Sequence, residues 1–300
     1  MRRTQPDLLC LKNTSDERSD VKNRFELRDA VCVVTGASSG LGRQFCVDLA
    51  AADARVVGIA RRAQLLATLE SDLAGYAGAS RTYECDVSDT DAYCAVLADT
   101  ERQHGRVDLL VNCAGAPEPP EATVDAGTEA ILGSYRSLMD TNFFAAVAGT
   151  LAVLPGMLSR DRGVVVNVSS DSGRAPGPGE PGYCASKAAL SAFTESLALS
   201  IDETGVRLHV LYPGWVPTAM GSGAVESGMP MPPKFVRRTS EEVSRLMIRK
   251  LGGRAIDIDA AIAGRLALAS RAFAPGLYKR GVLASSGAFR KRFLGSAQGD

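Results

Sequence analysis

Apolar, strand-like segments alternate with segments of helical length through most of the chain, and this alternation constrains the fold more than any other feature. Strands are predicted at 30–34, 55–60, up to about 86, 107–111, 163–168 and 206–211. Helices are predicted at 41–52, 63–74, 89–104, 129–158 and 182–203. Uniformly apolar strands separated by helices are typical of a parallel sheet covered on both faces. The sequence therefore predicts an α/β fold, a doubly wound parallel sheet of Rossmann type with three α/β/α layers.

Composition along the chain indicates three parts. Residues 1–28 mix charges of both signs with little periodicity and are predicted to be a flexible leader, ordered only near Phe25. One Rossmann-type domain is expected over 29–255, with a lid over about 219–238, followed by a helical, basic extension over 256–300. No signal peptide is recognisable and no run approaches roughly 18 apolar residues, so we expect a soluble cytoplasmic protein.

The overall composition argues against several classes of function. The 300 residues carry no formal net charge at pH 7 and no zinc-finger or RNA-binding signature, so nucleic acid is not an expected partner. The seven cysteines form no CxxC pair, which is typical of free thiols in a reducing cytosol. With two histidines, the sequence offers no metal-ligand cluster, and no metal is expected.

A glycine-rich turn follows the first strand and opens the next helix. Glycines allow a tight turn and close approach of the backbone to a phosphate, and a helix N-terminus supplies free N–H groups and a favourable dipole. The spacing is G-x-x-x-G-x-G rather than G-x-G-x-x-G. The turn is therefore a candidate dinucleotide-binding loop, with contacts expected from Gly36, Ser38, Ser39, Gly40, Leu41 and Gly42.

The end of the second strand bears on the choice of cofactor. An acidic residue there would accept hydrogen bonds from the ribose of NAD, but the sequence reads Ala60-Arg61-Arg62. A guanidinium suits a 2′-phosphate by charge and geometry, which favours NADP(H) and leaves NAD(H) as the alternative. Arg61 is the preferred contact and Arg62 its helper, unless both are a solvated pair. Asp86, after the third strand, could accept from the adenine amino group or cap the next helix.

Tyr183 and Lys187 lie four residues apart at the start of an amphipathic helix and so share one face of it. A lysine ammonium near a phenol favours the phenolate and lowers the phenol pKa, which suits a general acid or base. The fifth strand ends in Ser169-Ser170, where a hydroxyl could hydrogen-bond a substrate oxygen or merely form a turn. These groups fall where ligands of parallel sheets bind, beyond the carboxyl ends of the strands.

Together, these motifs resemble the short-chain dehydrogenase/reductase family in its shorter, single-domain form. The resemblance covers about 30–250, in the family's order and near its spacings. It rests on Thr35-Gly36 through Gly42, Cys85-Asp86-Val87, Asn112-Cys113-Ala114-Gly115, Asn142, Ser170, Tyr183 with Lys187, and Pro213-Gly214-Trp215-Val216-Pro217-Thr218. It implies an NADP(H)-dependent oxidoreductase that interconverts a carbonyl and a secondary alcohol by hydride transfer.

The resemblance also implies a role for each site residue. Tyr183 would be the catalytic acid/base, and Ser170 would orient and polarise the carbonyl. Lys187 would bind the nicotinamide ribose and lower the pKa of Tyr183, and Asn142 would hold a water that links Lys187 to solvent. Tyr183 would also contact the cofactor, and the other cofactor contacts would come from Val87, Asn112, Ala114, Gly115, Pro213, Gly214, Val216 and Thr218.

Segment 112–142 departs from the family's pattern in two ways. Its second residue is Cys113 where the family usually has asparagine, although cysteine is small enough for the turn to survive. The segment is also several residues longer than usual. Within it, Glu118-Pro119-Pro120-Glu121 is expected to reshape the mouth of the site.

The segment after Thr218 is expected to cover the substrate. Its glycines predict mobility and its methionines an adaptable apolar pocket, although a bland disordered loop is the alternative. Trp215 and Met220 are candidate pocket residues beside Ser170, with core packing as the alternative for Trp215. These features favour an apolar small-molecule ketone or alcohol.

The C-terminal part begins with a capping-box pattern that predicts a helix after Thr239. Beyond it, seven basic residues and one acidic residue follow from Arg265 onward. This part is expected to pack on the domain or on a second subunit, or else to lie on a membrane surface. The resemblance implies a homodimer or homotetramer. The apolar helical stripe consists of Ile258, Ile262, Leu266, Ala269 and Phe273.

Two rival functions stay open at the level of sequence. The first is a non-catalytic NADP(H)-binding sensor or scaffold, against which the intact Tyr183, Lys187, Ser170 and Asn142 weigh. The second is a sugar-nucleotide epimerase or dehydratase of the family's longer form, whose larger C-terminal domain has little room here.

Overall fold

A seven-stranded parallel sheet lies at the centre of the computed structural model, which describes residues 25–78 and 80–298. The strand order is β3-β2-β1-β4-β5-β6-β7. The strands are β1 (Val31–Thr35), β2 (Arg55–Ala60), β3 (Arg81–Glu84), β4 (Leu109–Asn112), β5 (Gly163–Val168), β6 (Val206–Tyr212) and β7 (Asp257–Asp259). Most of the predicted leader lies outside the described residues, while Phe25 and Leu27 pack against the core.

Helices cover both faces of the sheet, as predicted. The α-helices are α1 (Gly40–Ala51), α2 (Ala63–Leu73), α3 (Thr90–His104), α4 (Thr128–Met139), α5 (Ala145–Ser159), α6 (Asp171–Arg174), α7 (Pro181–Ser200), α8 (Ala219–Glu226), α9 (Ser240–Lys250), α10 (Ile262–Phe273) and α11 (Pro275–Ser285). A π-helical turn (Asp140–Phe144) joins α4 to α5. Within the described residues, three 3₁₀ segments lie at Val124–Ala126, Lys234–Val236 and Gly287–Gln298.

Neighbouring residues of β1 show why the strands are apolar at every position. Val34 belongs to the apolar cluster that contains Phe45 of α1 and Met247 of α9. Val33, one residue earlier, belongs to the cluster that contains Tyr93 of α3 and Met157 of α5. Successive strand side chains point to opposite faces, so helices on both faces require apolar residues throughout. The predicted three-layer, doubly wound sheet is confirmed.

The sheet has one more strand than the sequence analysis predicted. Ile258 is only 2% exposed and lies in β7, where it pairs with Leu211 of β6. It is therefore not the first member of a helical stripe, since α10 begins at Ile262. A strand of three residues is too short for its apolar pattern to be recognised in the sequence. Because of β7, the sheet continues past residue 255, the predicted end of the domain.

The segment Thr128–Ser159 forms one long helix through α4, the π turn and α5. Among the described residues, it alone is long and apolar enough to cross a membrane by length and composition, and 44% of its most apolar window is buried. The prediction that no segment reaches this length was therefore wrong, because it counted only uninterrupted apolar residues. Core helices of soluble proteins also reach this length and apolarity.

The C-terminal extension is attached to the domain by polar contacts. Arg271 donates to the carbonyl of Arg174 at 2.7 Å, and the hydroxyl of Tyr278 donates to that of Pro176 at 2.6 Å. These contacts support packing on the domain. The apolar stripe nevertheless stays largely in solvent, with Phe273 90% exposed. Contact of this stripe with a second subunit or a membrane remains a prediction.

Candidate active site

The glycine turn between β1 and α1 has a backbone that side chains would block. Gly36 and Gly40 have φ values of +69° and +54°, which L-residues rarely adopt. A Cβ on Gly42 would lie 2.4 Å from the carbonyl oxygen of Gly36. Ser39, the N-cap of α1, makes no side-chain capping bond, so its hydroxyl does not occupy the first N–H groups of α1. This cradle fits the pyrophosphate of a dinucleotide.

The two arginines after β2 have different contacts. Arg62 donates from Nη2 to the hydroxyls of Ser38 at 2.8 Å and Ser39 at 2.6 Å, and from Nε to Ser38 at 3.2 Å. Arg61 is exposed and pairs with Asp86 at 3.4 Å. Arg62 therefore lies against the glycine turn, whereas the sequence analysis preferred Arg61 for a phosphate contact. The difference arises because strand sequence does not show which way each long side chain turns.

Asp86 is held by its own turn. Its Oδ1 accepts from the N–H and hydroxyl of Ser88, at 3.0 and 2.8 Å. Burial acts to raise its pKa, but the bonds from Ser88 and the charge of Arg61 hold that pKa below its usual value. The helix-capping alternative is wrong, because Asp89 is the N-cap of α3 and accepts from the N–H of Ala92.

Asn112 lies in the core, and its contacts give it a structural role. The residue is 4% exposed, and its Oδ1 accepts from the hydroxyl of Tyr93 at 2.9 Å. Its Nδ2 lies 2.8 Å from Oδ1 of Asn167 and within 3.3 Å of both Thr150 and the Ala146 carbonyl. The side chain of Asn112, a predicted cofactor contact, thus joins β4 to α3, β5 and α5.

The turn after Asn112 is stable with cysteine at its second position. Oγ1 of Thr35 accepts from the N–H groups of Cys113 and Ala114, both at 3.0 Å. Burial raises the pKa of Cys113 to about 12, against the charge of Lys187, so the thiol stays neutral. A Cβ on Gly115 would lie 3.4 Å from Nζ of Lys187. The turn therefore brings its backbone to the predicted catalytic lysine.

Asn142 lies on the π-helical turn, a helix irregularity that is frequent at functional sites. Its side chain is 99% buried and binds both backbone groups of Ala116, accepting at 2.7 Å and donating at 3.0 Å. It also donates to the hydroxyl of Ser186 at 3.0 Å. The structure thus gives this amide a role in joining segment 112–142 to α7. The predicted water contact is untested.

Tyr183 and Lys187 line one cleft together with the glycine turn. Ser170 is the N-cap of α6, where its hydroxyl accepts from the N–H of Ser172 at 3.2 Å. Burial raises the pKa of Tyr183 to about 12, while a hydrogen bond from Ser170 acts in the opposite direction. Nζ of Lys187 donates to the carbonyl of Val168 at 2.9 Å, and burial lowers its pKa to about 8. The expected lowering of the tyrosine pKa by lysine is therefore not seen. Desolvation is the largest effect, and the phenol remains protonated at neutral pH.

A cleft of about 250 Å³ runs from the glycine turn to Tyr183 and Lys187. Met220 lies on its wall. Trp215 does not line it and packs against α8 and Arg237 instead, 5.8 Å from its guanidinium. Val216 belongs to the core. The predicted residues that line the cleft are Gly36, Ser38, Ser39, Gly40, Leu41, Gly42, Arg61, Arg62, Asp86, Val87, Ala114, Gly115, Tyr183, Lys187, Pro213, Thr218 and Met220.

Gly214 turns the chain away from the cleft. Its φ is +71°, and a Cβ there would lie 2.8 Å from that of Ala261. Segment 213–218 therefore reaches the cleft through its two ends, Pro213 and Thr218. A tight turn is needed between them because β6 ends at Tyr212 and α8 begins at Ala219.

Comparison with known proteins agrees with this geometry. A sequence model described as short chain dehydrogenase matches residues 30–227. The chain is also 35% identical over 211 residues to dehydrogenase/reductase SDR family member 7B of Danio rerio, covering 68% of this chain and 67% of the relative.

The chain belongs to the short-chain dehydrogenase family.

Solved structures of other short-chain dehydrogenases have the same fold. One from Streptomyces avermitilis has a TM-score of 0.69 and 27% identity, covering 85% of this chain and 97% of that one. A variant actinorhodin polyketide ketoreductase with NADPH has a TM-score of 0.69 and 27% identity, covering 79% and 97%. The chain spans about two thirds of the length of several curated relatives.

Glu118 is a site residue whose role in this short-chain dehydrogenase the sequence analysis missed. The sequence places it only within a segment expected at the mouth of the site. The structure buries it, and its carboxylate accepts from the N–H of Tyr183 at 2.6 Å. The available signal was an acidic residue flanked by prolines in an unusually long connection, which does not reveal its partner.

Proposed function

We propose that this chain is an NADP(H)-dependent reductase that converts an apolar small-molecule ketone to a secondary alcohol, with the reverse reaction also catalysed. The convergence of Tyr183, Ser170 and Lys187 beside a glycine turn supports this proposal most directly. It combines a proton donor, a hydroxyl that can orient a carbonyl and a dinucleotide cradle. A non-catalytic binding protein has no need of a buried phenol in this position.

The protonation state of Tyr183 supports reduction. When bound, the nicotinamide supplies the hydride. With a pKa raised to about 12, the phenol of Tyr183 carries a proton at neutral pH and can donate it to the carbonyl oxygen. Ser170 lies beside this phenol and would orient the same oxygen. Oxidation requires the phenolate, which burial disfavours.

Contacts around the glycine turn support a preference for NADP(H). No acidic residue ends β2, and the guanidinium of Arg62 lies on the hydroxyls of Ser38 and Ser39. Two hydroxyls and a guanidinium together form a suitable donor set for a phosphate monoester. Arg61 adds a second positive charge at the same edge of the cleft. The solved ketoreductase with NADPH shows that a protein of the same fold holds this cofactor.

Exposed apolar side chains on α5 and α7 support a homodimer. Leu151 and Leu158 of α5 are 50% and 36% exposed, and Leu199 of α7 is 70% exposed. Phe144, just before α5, is 49% exposed. A second copy of this helix pair is the partner we propose for this surface. Light scattering at micromolar concentration measures the molar mass directly.

Titration with NADPH and NADH tests the proposal first, followed through the emission of the reduced nicotinamide, because Trp215 does not line the cleft. Tighter binding of NADPH, followed by its oxidation with apolar ketones, is the expected outcome. Preference for NADH overturns the cofactor assignment and leaves the reaction class intact. Binding without turnover of any ketone favours the sensor or scaffold alternative.

A further inference from the structure

The helix that bears Tyr183 begins without a cap of its own. Glu180 occupies the N-cap position of α7, and its side chain makes no capping bond. Pro181 follows and has no N–H group. The next two residues, Gly182 and Tyr183, therefore present N–H groups that the helix itself cannot satisfy. Buried N–H groups without partners destabilise a helix end.

Glu118 supplies both missing acceptors from a distant part of the chain. Its Oε2 accepts from the N–H of Tyr183 at 2.6 Å and its Oε1 from that of Gly182 at 3.3 Å. The two pairs are 65 and 64 residues apart in sequence. Glu118 is 1% exposed, and its negative charge lies at the positive end of the helix dipole. A charged acceptor makes these bonds stronger than an ordinary cap.

The carboxylate of Glu118 and the ring of Tyr135 both pack closely against Gly182. A Cβ on Gly182 would lie 2.6 Å from Cδ1 of Tyr135 and 3.1 Å from Oε2 of Glu118. Only glycine at this position allows the carboxylate and the Tyr135 ring to approach the helix. Burial and the carboxylate together raise the pKa of Tyr135 to about 12, so that this phenol stays neutral.

The C-terminal segment fixes Glu118 from its other side. Nη2 of Arg292 donates to the main-chain carbonyl of Glu118 at 2.9 Å. Phe289, 4% exposed, lies against Gly179, where a Cβ would come within 2.8 Å of the Phe289 ring. Residues from three parts of the chain thus meet at the start of α7.

We propose that Glu118 is a positioning residue for the reaction, holding the first turn of α7 so that the phenol of Tyr183 stays in line with Ser170. The inference rests on the proposed function, because the benefit of this position is proton donation by Tyr183. Lys187 lies one turn further along α7 and has its own anchor in the carbonyl of Val168. Loss of the Glu118 carboxylate therefore disturbs the phenol and leaves the cofactor-binding end in place.

Three variants test the proposal in the full chain: E118A, E118Q and the control E121A. Glu121 belongs to the same segment but is exposed. In E118A we expect kcat to fall by about 10- to 100-fold, as misplacement of a reacting group by about 1 Å can do. The Kd for NADPH should stay within about two-fold, because the glycine turn and Lys187 are untouched. E118Q keeps one acceptor oxygen and should restore part of kcat, and E121A should match the wild type.

Hydrogen exchange provides a readout that needs no turnover. Amide exchange in a peptide covering 180–188 should accelerate in E118A, with no change in peptides from β5 or α1. If the wild type reduces no ketone, the proposed function fails while this exchange still decides whether Glu118 caps α7. Unchanged exchange in E118A overturns the cap, and faster exchange with wild-type kcat overturns the positioning role.

A folding failure of E118A leaves two other variants that decide the question. E118Q removes the charge while keeping the size of the side chain, and R292M removes the donor to the Glu118 carbonyl. Both should lower kcat more than they raise the Kd for NADPH. Equal losses in kcat and cofactor binding, in proportion to lost melting temperature, overturn the proposal in favour of a purely stabilising role.

Discussion

Lys187 donates from Nζ to the carbonyl oxygen of Val168, 2.9 Å away at the end of β5. The bond holds an ammonium group in a buried place, where desolvation lowers its pKa to about 8. The lysine thus stays charged at neutral pH but loses its proton far more readily than a lysine in water. This balance between burial and one carbonyl acceptor has a measurable consequence for stability.

The free energy of unfolding should depend on the titration of Lys187. The unfolded lysine titrates near 10.5 and the folded one near 8, so the unfolded state binds more protons between these values. The free energy of unfolding of the wild type should therefore increase relative to that of K187M as the pH rises from 8 to 10.5, by on the order of 3 kcal/mol. Urea denaturation of both proteins across this range measures the difference. A constant difference contradicts the lowered pKa.

Tyr183→Phe should abolish turnover while cofactor binding persists. The variant keeps the ring and its packing but removes the proton donor, and general acid catalysis contributes about 100-fold or more. Steady-state rates with an accepted ketone and NADPH titration of the same preparation measure the two effects. Appreciable turnover by this variant would show that Tyr183 is not the proton donor.

Arg62→Ala should weaken NADPH binding far more than NADH binding. Loss of a charge-assisted hydrogen bond costs about 1.5–3 kcal/mol, which corresponds to roughly a 10- to 100-fold rise in Kd. Arg61→Ala should have a smaller effect, because Arg61 lies with Asp86 rather than with Ser38 and Ser39. Arg55→Ala, which disrupts an exposed ion pair with Asp29, is the matched control. Equal effects on both cofactors argue against a phosphate contact.

Asn112→Ala should lower stability without changing cofactor affinity. The substitution leaves the hydroxyl of Tyr93 and Oδ1 of Asn167 without their partner in the core, at a cost of about 2–3 kcal/mol. Thermal unfolding and NADPH titration separate the two properties. A large rise in the Kd for NADPH at an unchanged melting temperature would instead indicate that Asn112 contacts the cofactor.

His209 should contribute to the loss of stability in acid. Its Nδ1 lies 2.9 Å from the carbonyl of Ala255 and its Nε2 accepts from the N–H of Gly252, an arrangement that requires the neutral ring. Burial lowers its pKa from 6.5 to about 4, so stability is lost as the pH falls from 6.5 towards 4. His209→Gln should flatten this part of the stability profile. Denaturant midpoints between pH 4 and 7 provide the comparison.

Local patterns in the sequence predicted most of the sheet and the family. The bounds of β2 and β5 agree with the predicted 55–60 and 163–168, because all but one of the six residues in each strand are apolar or glycine, which is a strong local signal. The capping box at Thr239 is also present as predicted, since it involves residues only three apart. The three-residue β7 was not predicted, because its pairing with β6 rather than its own sequence makes it a strand.

The sequence by itself determined the parallel sheet, the glycine turn and the placement of Tyr183 and Lys187 on one helix, since each depends on residues close together in the chain. Only the tertiary structure decided that Arg62 rather than Arg61 contacts the serines, that Asn112 belongs to the core, and that Glu118 caps α7. These outcomes depend on side-chain direction and on contacts between segments up to 65 residues apart. Spacing along a chain carries no information about such contacts until burial and packing bring the segments together.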